Sequence, residues 1–217
     1  MTTWELIGSG READVYAIDQ HRVLRRYRHG GDVADEADVM AYLWDLDFPV
    51  PRVFDAAGTD LVLERLDGPT MAAAGDLTVP EAAEMLAGLH RRLHAVPPRL
   101  ARRPGDRILH LDLHPENVML TARGPVVIDW RNVREGSPDV DVALSAIILA
   151  EVAISPDHPL AALVTPLIDE FLRAAGGDPL SALDAAMGFR RTQIGDEASP
   201  AAAELVISVI GAWQHPG

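Results

Sequence analysis

The most informative segment of the sequence is His110-Leu111-Asp112-Leu113-His114-Pro115-Glu116-Asn117, followed further along the chain by Val126-Val127-Ile128-Asp129. It carries two carboxylates, Asp112 and Asp129, and the side-chain amide of Asn117. Two apolar runs lie between Asn117 and Asp129, and the turn residues 122–125 separate them, a pattern that predicts a β-hairpin. Because a hairpin brings its two ends together, we expect Asn117 and Asp129 to meet beside Asp112.

These three side chains indicate a metal site and a type of chemistry. Converging oxygen ligands suit Mg²⁺, which keeps several waters and takes further ligands from substrate phosphates. Asp112 is followed five residues later by Asn117 and twelve residues after that by Asp129. This order matches the catalytic loop of kinases and the metal-binding Asp that follows it. The sequence therefore predicts phosphoryl transfer.

Composition excludes several classes of protein. The 217 residues include no cysteine, so disulfides and thiolate metal sites are excluded, and a reducing, cytoplasmic location is expected. The start Met1-Thr2-Thr3-Trp4-Glu5 lacks the features of a signal peptide, and the longest apolar run, Val142–Ala150, is too short to span a bilayer. A net charge of −14 argues against sequence-independent binding of nucleic acid. We therefore expect neither a nucleic-acid nor a membrane partner. The oligomeric state cannot be inferred from the sequence.

The order of predicted elements indicates an α+β fold with two lobes. Residues 1–66 are predicted to form a small antiparallel β-rich N-lobe with one helix over 32–46. A connection rich in small residues leads into residues 67–217, a mainly helical C-lobe that contains the catalytic loop, metal site and acceptor region. Its predicted helices cover residues 81–96, 140–153, 159–174, 180–190 and 199–213.

A glycine-rich segment near the N-terminus lies between two predicted strands. Gly8, Ser9 and Gly10, with Val15 shortly after, have the context of a loop that covers nucleotide phosphates, because glycine lets backbone N–H groups approach phosphate oxygens. Taken alone, Gly-Ser-Gly is more often an ordinary turn.

The chain contains no lysine, so all nineteen basic residues are arginine. Kinases place a lysine on the strand that Arg25 ends, and pair it with a glutamate on the following helix, where Glu36 lies here. Arg25 and Glu36 are therefore either a phosphate-binding pair or ordinary surface charges.

The chain resembles the aminoglycoside phosphotransferase and choline-kinase-like group of the protein-kinase fold. The resemblance rests on residues 110–118, on Val127-Ile128-Asp129-Trp130, on residues 136–143 and on residues 48–53. It implies a two-lobed protein-kinase-like fold and a phosphotransferase that uses ATP and Mg²⁺. One departure is Leu111, which stands where the family usually has glycine.

The resemblance also implies a role for each matching residue. Asp112 accepts or orients the proton of the substrate hydroxyl, while Asn117 and Asp129 hold Mg²⁺. Nucleotide binding falls to the glycine-rich segment with Val15, to Arg25 supported by Glu36, and to the backbone of Glu64 and Leu66 at the adenine. His110 and Asp141 support the catalytic loop, and Asp141 also caps the helix that follows.

The acceptor is less defined. The short path from Asp129 to Asp141 leaves little room for an activation segment, which favours a small-molecule kinase over a protein kinase. The expected acceptor is a hydroxyl of an aminoglycoside, amino sugar, amino alcohol or related metabolite. Four acidic residues either line a site for a cationic acceptor or form a solvated surface: Glu135, Asp139, Glu151 and Asp157.

Two other functions are compatible with parts of the sequence. A kinase fold that binds nucleotide without turnover is favoured by Arg25 in place of lysine. A metal-dependent hydrolase is favoured by His110-x-Asp112-x-His114, whose side chains would share one face of a strand. The hydrolase leaves Asn117 and the spacing to Asp129 unexplained.

Overall fold

The structure is a computed structural model that describes residues 4–100 and 103–213. Met1–Thr3, on which the expectation about a signal peptide partly rests, lie outside the described residues. In the described part, no helix is long and apolar enough to cross a membrane. The cytoplasmic location stays a prediction.

The described residues form nine strands and six α-helices. The strands are β1 (Glu5–Ser9), β2 (Ala13–Ala17), β3 (Arg22–Tyr27), β4 (Val53–Ala57), β5 (Asp60–Glu64), β6 (Arg107–Leu109), β7 (Val118–Thr121), β8 (Gly124–Val127) and β9 (Arg134–Gly136). The helices are α1 (Ala34–Asp45), α2 (Val79–Ala95), α3 (Pro138–Ala153), α4 (Ala161–Ala175), α5 (Leu183–Ile194) and α6 (Pro200–Gly211).

These elements belong to two compact units. The first unit comprises residues up to Thr70 together with Val118–Val133, and the second comprises Met71–Asn117 together with the residues from Arg134 onward. The hairpin β7–β8 thus belongs to the first unit, although it follows the catalytic loop in sequence. The division into lobes at residue 66 stays a prediction.

The first unit contains a five-stranded antiparallel sheet in the order β1-β2-β3-β5-β4. Leu24 on β3 and Leu61 on β5 are buried, as expected for central strands. Helix α1 buries Ala37, Met40 and Leu43 on one face. Glu36 is buried as well, so a carboxylate is held inside this unit and needs a partner.

The hairpin pairs Val118 with Val127 and turns at residues 121–124. Residues 68–70 run beside it, with a bridge between Thr70 and Met119. Gly68 makes a close approach there: at its φ of +136° an added Cβ would lie 1.9 Å from the carbonyl oxygen of Leu120. Only glycine fits this position.

The second unit is built on α3, which packs against α4, α5 and α6, while α2 packs against α4. Helix α3 is buried from Asp141 through Ala150, so the longest apolar run in the sequence is a core helix. Helix α2 begins with a capping box between Thr78 and Glu81. The five predicted helices of this part are present, and each end lies within four residues of its predicted position. The short strands β6 and β9, which pair with each other, were not predicted.

Candidate active site

The catalytic loop in the second unit connects β6 to a short 3₁₀ turn at Pro115–Asn117. The Nδ2 of Asn117 donates to the carbonyl oxygen of Asp112 at 2.8 Å and lies 3.4 Å from its Oδ2. Asp112 and Asn117 are therefore in contact, as the sequence predicts. Because the amide nitrogen is turned toward Asp112, the Oδ1 of Asn117 is the atom that can serve as a metal ligand.

His114 completes this corner of the loop. Its Nε2 lies 3.2 Å from the Nδ2 of Asn117 and 3.8 Å from the Oδ1 of Asp112. Burial lowers the pKa of His114 against the pull of the Asp112 carboxylate. Since an amide nitrogen only donates, Nε2 is the acceptor in this contact, which fixes the Asn117 amide.

Asp141 is buried, and its carboxylate binds the backbone of the catalytic loop. It accepts from the backbone N–H of His110 at 3.1 Å and of Leu111 at 2.7 Å, and from Nε2 of His94 at 3.0 Å. Burial alone would raise the pKa of this carboxyl, but the hydrogen bond from His94 and the neighbouring histidines lower it to about 2. The contact between Asp141 and the loop is the one that the sequence predicts.

The predicted capping role of Asp141 is wrong. Helix α3 begins at Pro138, with Ser137 as its N-cap, so Asp141 lies inside the first turn. Its carboxylate is occupied by the amides of the catalytic loop, not by those of its own helix.

Leu111 has a φ of +59°, which explains why glycine is usual at this position. Its N–H donates to Asp141, and its carbonyl oxygen accepts from Nε2 of Gln193 on α5 at 2.9 Å. The Nδ1 of the buried His110 accepts from the N–H of Asp112 at 3.2 Å. His110 thus supports the loop, and its Nδ1 is used within it.

Arg25 in the first unit contacts two carboxylates. Its Nη1 donates to Oε1 of Glu36 at 3.2 Å, and its Nη2 donates to Oδ1 of Asp129. Its side chain is only 12% exposed. Burial disfavours the charged guanidinium, but Asp129 and Glu36 outweigh it and raise the pKa of Arg25. The contact with Glu36 is present as predicted, and the contact with Asp129 was not predicted.

Tyr27 lies beside this pair. Its hydroxyl donates to Oε2 of Glu36 at 2.7 Å, and burial raises the pKa of the phenol. Burial also raises the pKa of Glu36, against the opposing effect of Arg25. Glu36 is thus held on both oxygens by Arg25 and Tyr27, so it orients the guanidinium.

Asp129 follows β8 with a φ of +66°, a conformation that Asp tolerates better than most residues. The next residue, Trp130, is buried, and its indole N–H donates to the carbonyl oxygen of Val127 at 3.0 Å. The ring of Trp130 packs edge-on against Phe48 at 5.7 Å between centroids. This packing fixes the direction in which Asp129 leaves the hairpin.

The glycine-rich segment joins β1 to β2. An added Cβ at Gly8 would meet Val15 at 3.7 Å, and one at Gly10 would meet the carbonyl oxygen of Ala13 at 3.6 Å, both ordinary contacts. Neither glycine has a positive φ. Both positions therefore accommodate a side chain within this unit, and the fold by itself does not require glycine there.

Side-chain hydrogen bonds hold the glycine-rich segment in place. Ser9 Oγ donates to Oδ1 of Asp14 at 2.7 Å, and Arg28 pairs with Asp14 at 3.2 Å and contacts the carbonyl oxygen of Gly10. The hydrogen bonds from Ser9 and Arg28 lower the pKa of Asp14.

Glu64 and Leu66 lie at and just beyond the end of β5. The N–H of Glu64 donates to the carbonyl oxygen of Arg52 at 2.9 Å, and its carboxylate accepts from Arg123 at 2.7 Å. The Glu64 side chain is thus used within the unit. Contact of the Glu64 and Leu66 backbones with adenine stays a prediction.

Three of the four acidic residues considered for a cationic acceptor have other partners. Glu135 accepts from the N–H of Leu100 at 2.9 Å, Asp139 accepts from the N–H of Asp178 at 2.9 Å, and Glu151 pairs with Arg190 at 2.6 Å. Sequence reasoning missed the last pair, because only the packing of α3 against α5 reveals it.

The candidate residues divide between the two units. The first unit holds the glycine-rich segment, Arg25, Glu36, Glu64, Leu66 and Asp129, and the second holds His110, Asp112, Asn117 and Asp141. The meeting of Asp129 with Asn117 stays a prediction. In the described ranges, no cluster of three or more His, Asp or Glu side chains is arranged to hold a metal ion.

A known protein family matches most of the chain. The model of the phosphotransferase enzyme family (APH) matches residues 3–108 and 99–179. Among curated protein sequences, none matches.

Solved structures with a similar fold cover nearly the whole chain. The ternary complex of streptomycin, ATP and APH(2'')-IIa is 13% identical, with a TM-score of 0.63, over 98% of this chain and 91% of that one. Choline kinase from Cryptosporidium parvum is 13% identical, with a TM-score of 0.57, over 98% and 89%. Amicoumacin kinase hAmiN in complex with AMP-PNP, Ca²⁺ and Ami is 12% identical, with a TM-score of 0.62, over 96% and 87%. At these identities the likeness shows the fold, and the predicted α+β protein-kinase-like fold is confirmed.

Proposed function

The chain belongs to the phosphotransferase enzyme family, and we propose that it transfers the γ-phosphate of ATP to a hydroxyl group of a small molecule. The observation that carries this proposal is the catalytic loop, in which Asp141 fixes the backbone while Asp112 and Asn117 lie in contact. Positioning and charge neutralisation do most of the work in phosphoryl transfer, so a rigidly held carboxylate beside an amide is what the reaction needs.

Nucleotide binding is supported by the first unit. Gly8 and Gly10 accommodate side chains without strain, so close approach of phosphate oxygens gives a reason for glycine that the fold does not supply. Arg25 is oriented by a buried glutamate, as the phosphate-binding lysine of kinases is. Two of the similar structures named above hold ATP or AMP-PNP.

Asn117 and Asp129 have the donor chemistry for Mg²⁺: one amide oxygen and one carboxylate, with the remaining ligands left to water and phosphate. When bound, Mg²⁺ supplies charge neutralisation of the phosphate oxygens. The Oδ1 of Asn117 is directed by the bonds that its Nδ2 makes to Asp112 and His114. Arg25 balances part of the Asp129 charge.

Asp112 accepts the proton of the acceptor hydroxyl, or orients that hydroxyl toward the γ-phosphate. Its side chain is 22% exposed, so it is both held by the loop and accessible. The acceptor is a small molecule, as in the similar kinases that act on choline or carry streptomycin. Because Glu135, Asp139 and Glu151 have other partners, an amino group on the acceptor needs a different set of contacts.

The test is ATP consumption with Mg²⁺ across a panel of hydroxyl compounds that includes aminoglycosides, amine-free sugars and amino alcohols. Asp112→Asn should lower acceptor-dependent turnover by roughly 10²- to 10⁴-fold and leave ATP binding nearly unchanged. Asp129→Ala should instead abolish the Mg²⁺ dependence of ATP binding, measured by calorimetry. Asp184→Asn, an exposed change on α5, is the matched control and should behave as wild type.

Each outcome supports or refutes a specific role. Full turnover in Asp112→Asn would refute its catalytic role. Mg²⁺-dependent binding of ATP without turnover on any compound would instead favour a protein that binds nucleotide without catalysis. The structural feature in favour of that alternative is the contact of both terminal nitrogens of Arg25 with carboxylates.

A further inference from the structure

Two arginines stack on the ring of Tyr27. The guanidinium carbon of Arg25 lies 4.9 Å from the ring centroid, and that of Arg131 lies 4.3 Å from it. The three side chains come from β3 and from the segment just after Asp129, all in the first unit. This arrangement places a second guanidinium beside the pair that the nucleotide site is expected to use.

The two arginines differ in how firmly they are held. Arg25 is buried, and each of its terminal nitrogens contacts a carboxylate, one from Glu36 and one from Asp129. Its charge is thus matched by two negative charges within the unit. Both terminal nitrogens of Arg25 are thus engaged, so a second cation beside it would add positive charge for a bound polyanion.

Arg131 has more freedom. Its side chain is 37% exposed, and its ion-pair partner among the described residues is Glu12, at 2.5 Å, whose side chain is 51% exposed. An ion pair between exposed side chains contributes little net stability, so it can be exchanged for another at small cost. Glu12 lies in the segment that joins β1 to β2, beside the glycines.

We propose that Arg131 is a phosphate-binding residue, which leaves Glu12 and contacts the phosphates of the bound nucleotide. The inference rests on the proposed function, because it assumes that the nucleotide lies at the glycine-rich segment. Stacking on Tyr27 holds the guanidinium plane in place, and a planar fork of donors suits phosphate oxygens. Glu12 then acts as a stand-in anion that keeps Arg131 extended toward the glycine-rich segment.

The experiment measures the affinities of ATP and adenosine by calorimetry in the wild type, Arg131→Gln, Glu12→Gln and the double variant. Arg131→Gln should bind ATP roughly ten- to hundredfold more weakly, because a hydrogen-bonded charge pair is lost. Glu12→Gln should bind ATP roughly two- to fivefold more tightly, because Arg131 no longer has a competing partner. Adenosine has no phosphates, so its affinity should be the same in all four proteins.

The double variant decides whether the two effects share one cause. If Glu12 acts through Arg131, adding Glu12→Gln to Arg131→Gln should bring no gain in ATP affinity. An unchanged ATP affinity in Arg131→Gln, or an equal loss for adenosine, would overturn the inference and leave the proposed function standing. A wild-type protein that binds no ATP would overturn both. Glu12→Gln changes an exposed side chain, so it tests the inference even if Arg131→Gln folds poorly.

Discussion

A buried histidine should make the protein less stable in mild acid. His90 on α2 is 1% exposed, with its Nδ1 2.9 Å from the carbonyl oxygen of Leu86 and its Nε2 3.0 Å from Oγ of Ser145. Nδ1 therefore carries the proton and donates to Leu86, while Nε2 accepts from Ser145. The ring of Phe171 lies 5.2 Å away, and the side chain is buried, so a second proton would place a charge out of contact with water.

The direction and size of this change in stability follow from the pKa of His90. Burial lowers the pKa of His90 from 6.5 to about 4 in the folded protein. Between these values the unfolded chain takes up a proton that the folded protein does not, so stability falls as the pH falls. Lowering the pH from 7 to 5 should therefore reduce the free energy of unfolding by about 2 kcal/mol through His90 alone.

Urea unfolding at pH 7 and pH 5 measures the effect, and His90→Gln provides the comparison. The variant removes the titrating group, so its stability should fall by about 2 kcal/mol less than that of the wild type over this range. His114, whose pKa burial also lowers, is present in both proteins and cancels. The carboxyl of Asp141, with a pKa of about 2, stays ionised throughout. An equal loss of stability in both proteins would refute the reasoning.

Two further changes test the packing of the first unit. Gly68→Ala should lower the free energy of unfolding by about 2–4 kcal/mol, because the added Cβ would collide with the Leu120 carbonyl. The control Gly58→Ala has a φ of +57° and open space around it, so it should cost only about 1 kcal/mol. Equal losses for the two variants in urea unfolding would contradict the collision. Arg25→Lys should cost about 1–3 kcal/mol by the same assay, because one ammonium group replaces a fork that spans two carboxylates. Unchanged stability would show that the fork adds nothing.

Much of the fold was predictable because its signals are local. The hairpin after Asn117, the helix over Ala34–Asp45 and the contact between Asp112 and Asn117 depend on apolar spacing, turn residues and a short separation along the chain. The pairing of Arg25 with Glu36 was also predictable, because it joins a strand to the helix directly after it.

The contacts that were missed join residues far apart in sequence. His94 reaches Asp141 across 47 residues, and Gln193 reaches the Leu111 carbonyl across 82. Neither residue lies in a recognisable motif, and any polar side chain on those helices has the same sequence context. Only the packing of the helices determines which of them meets the loop, so the support of the catalytic loop could be predicted at Asp141 but not at its partners.

The absence of lysine connects the roles of Arg25 and Arg131 in the first unit. A lysine at position 25 would present one compact charge, whereas Arg25 spans Glu36 and Asp129 and stacks on Tyr27. The longer, forked side chain thus reaches the residue expected to hold the metal, and its charge is used there. Phosphates bound beside Arg25 need further positive charge. Arg131, which lies over the ring of the same Tyr27 and forms an ion pair with the exposed Glu12, supplies it. The replacement of lysine and the position of Arg131 are therefore two parts of one solution to binding a polyanion.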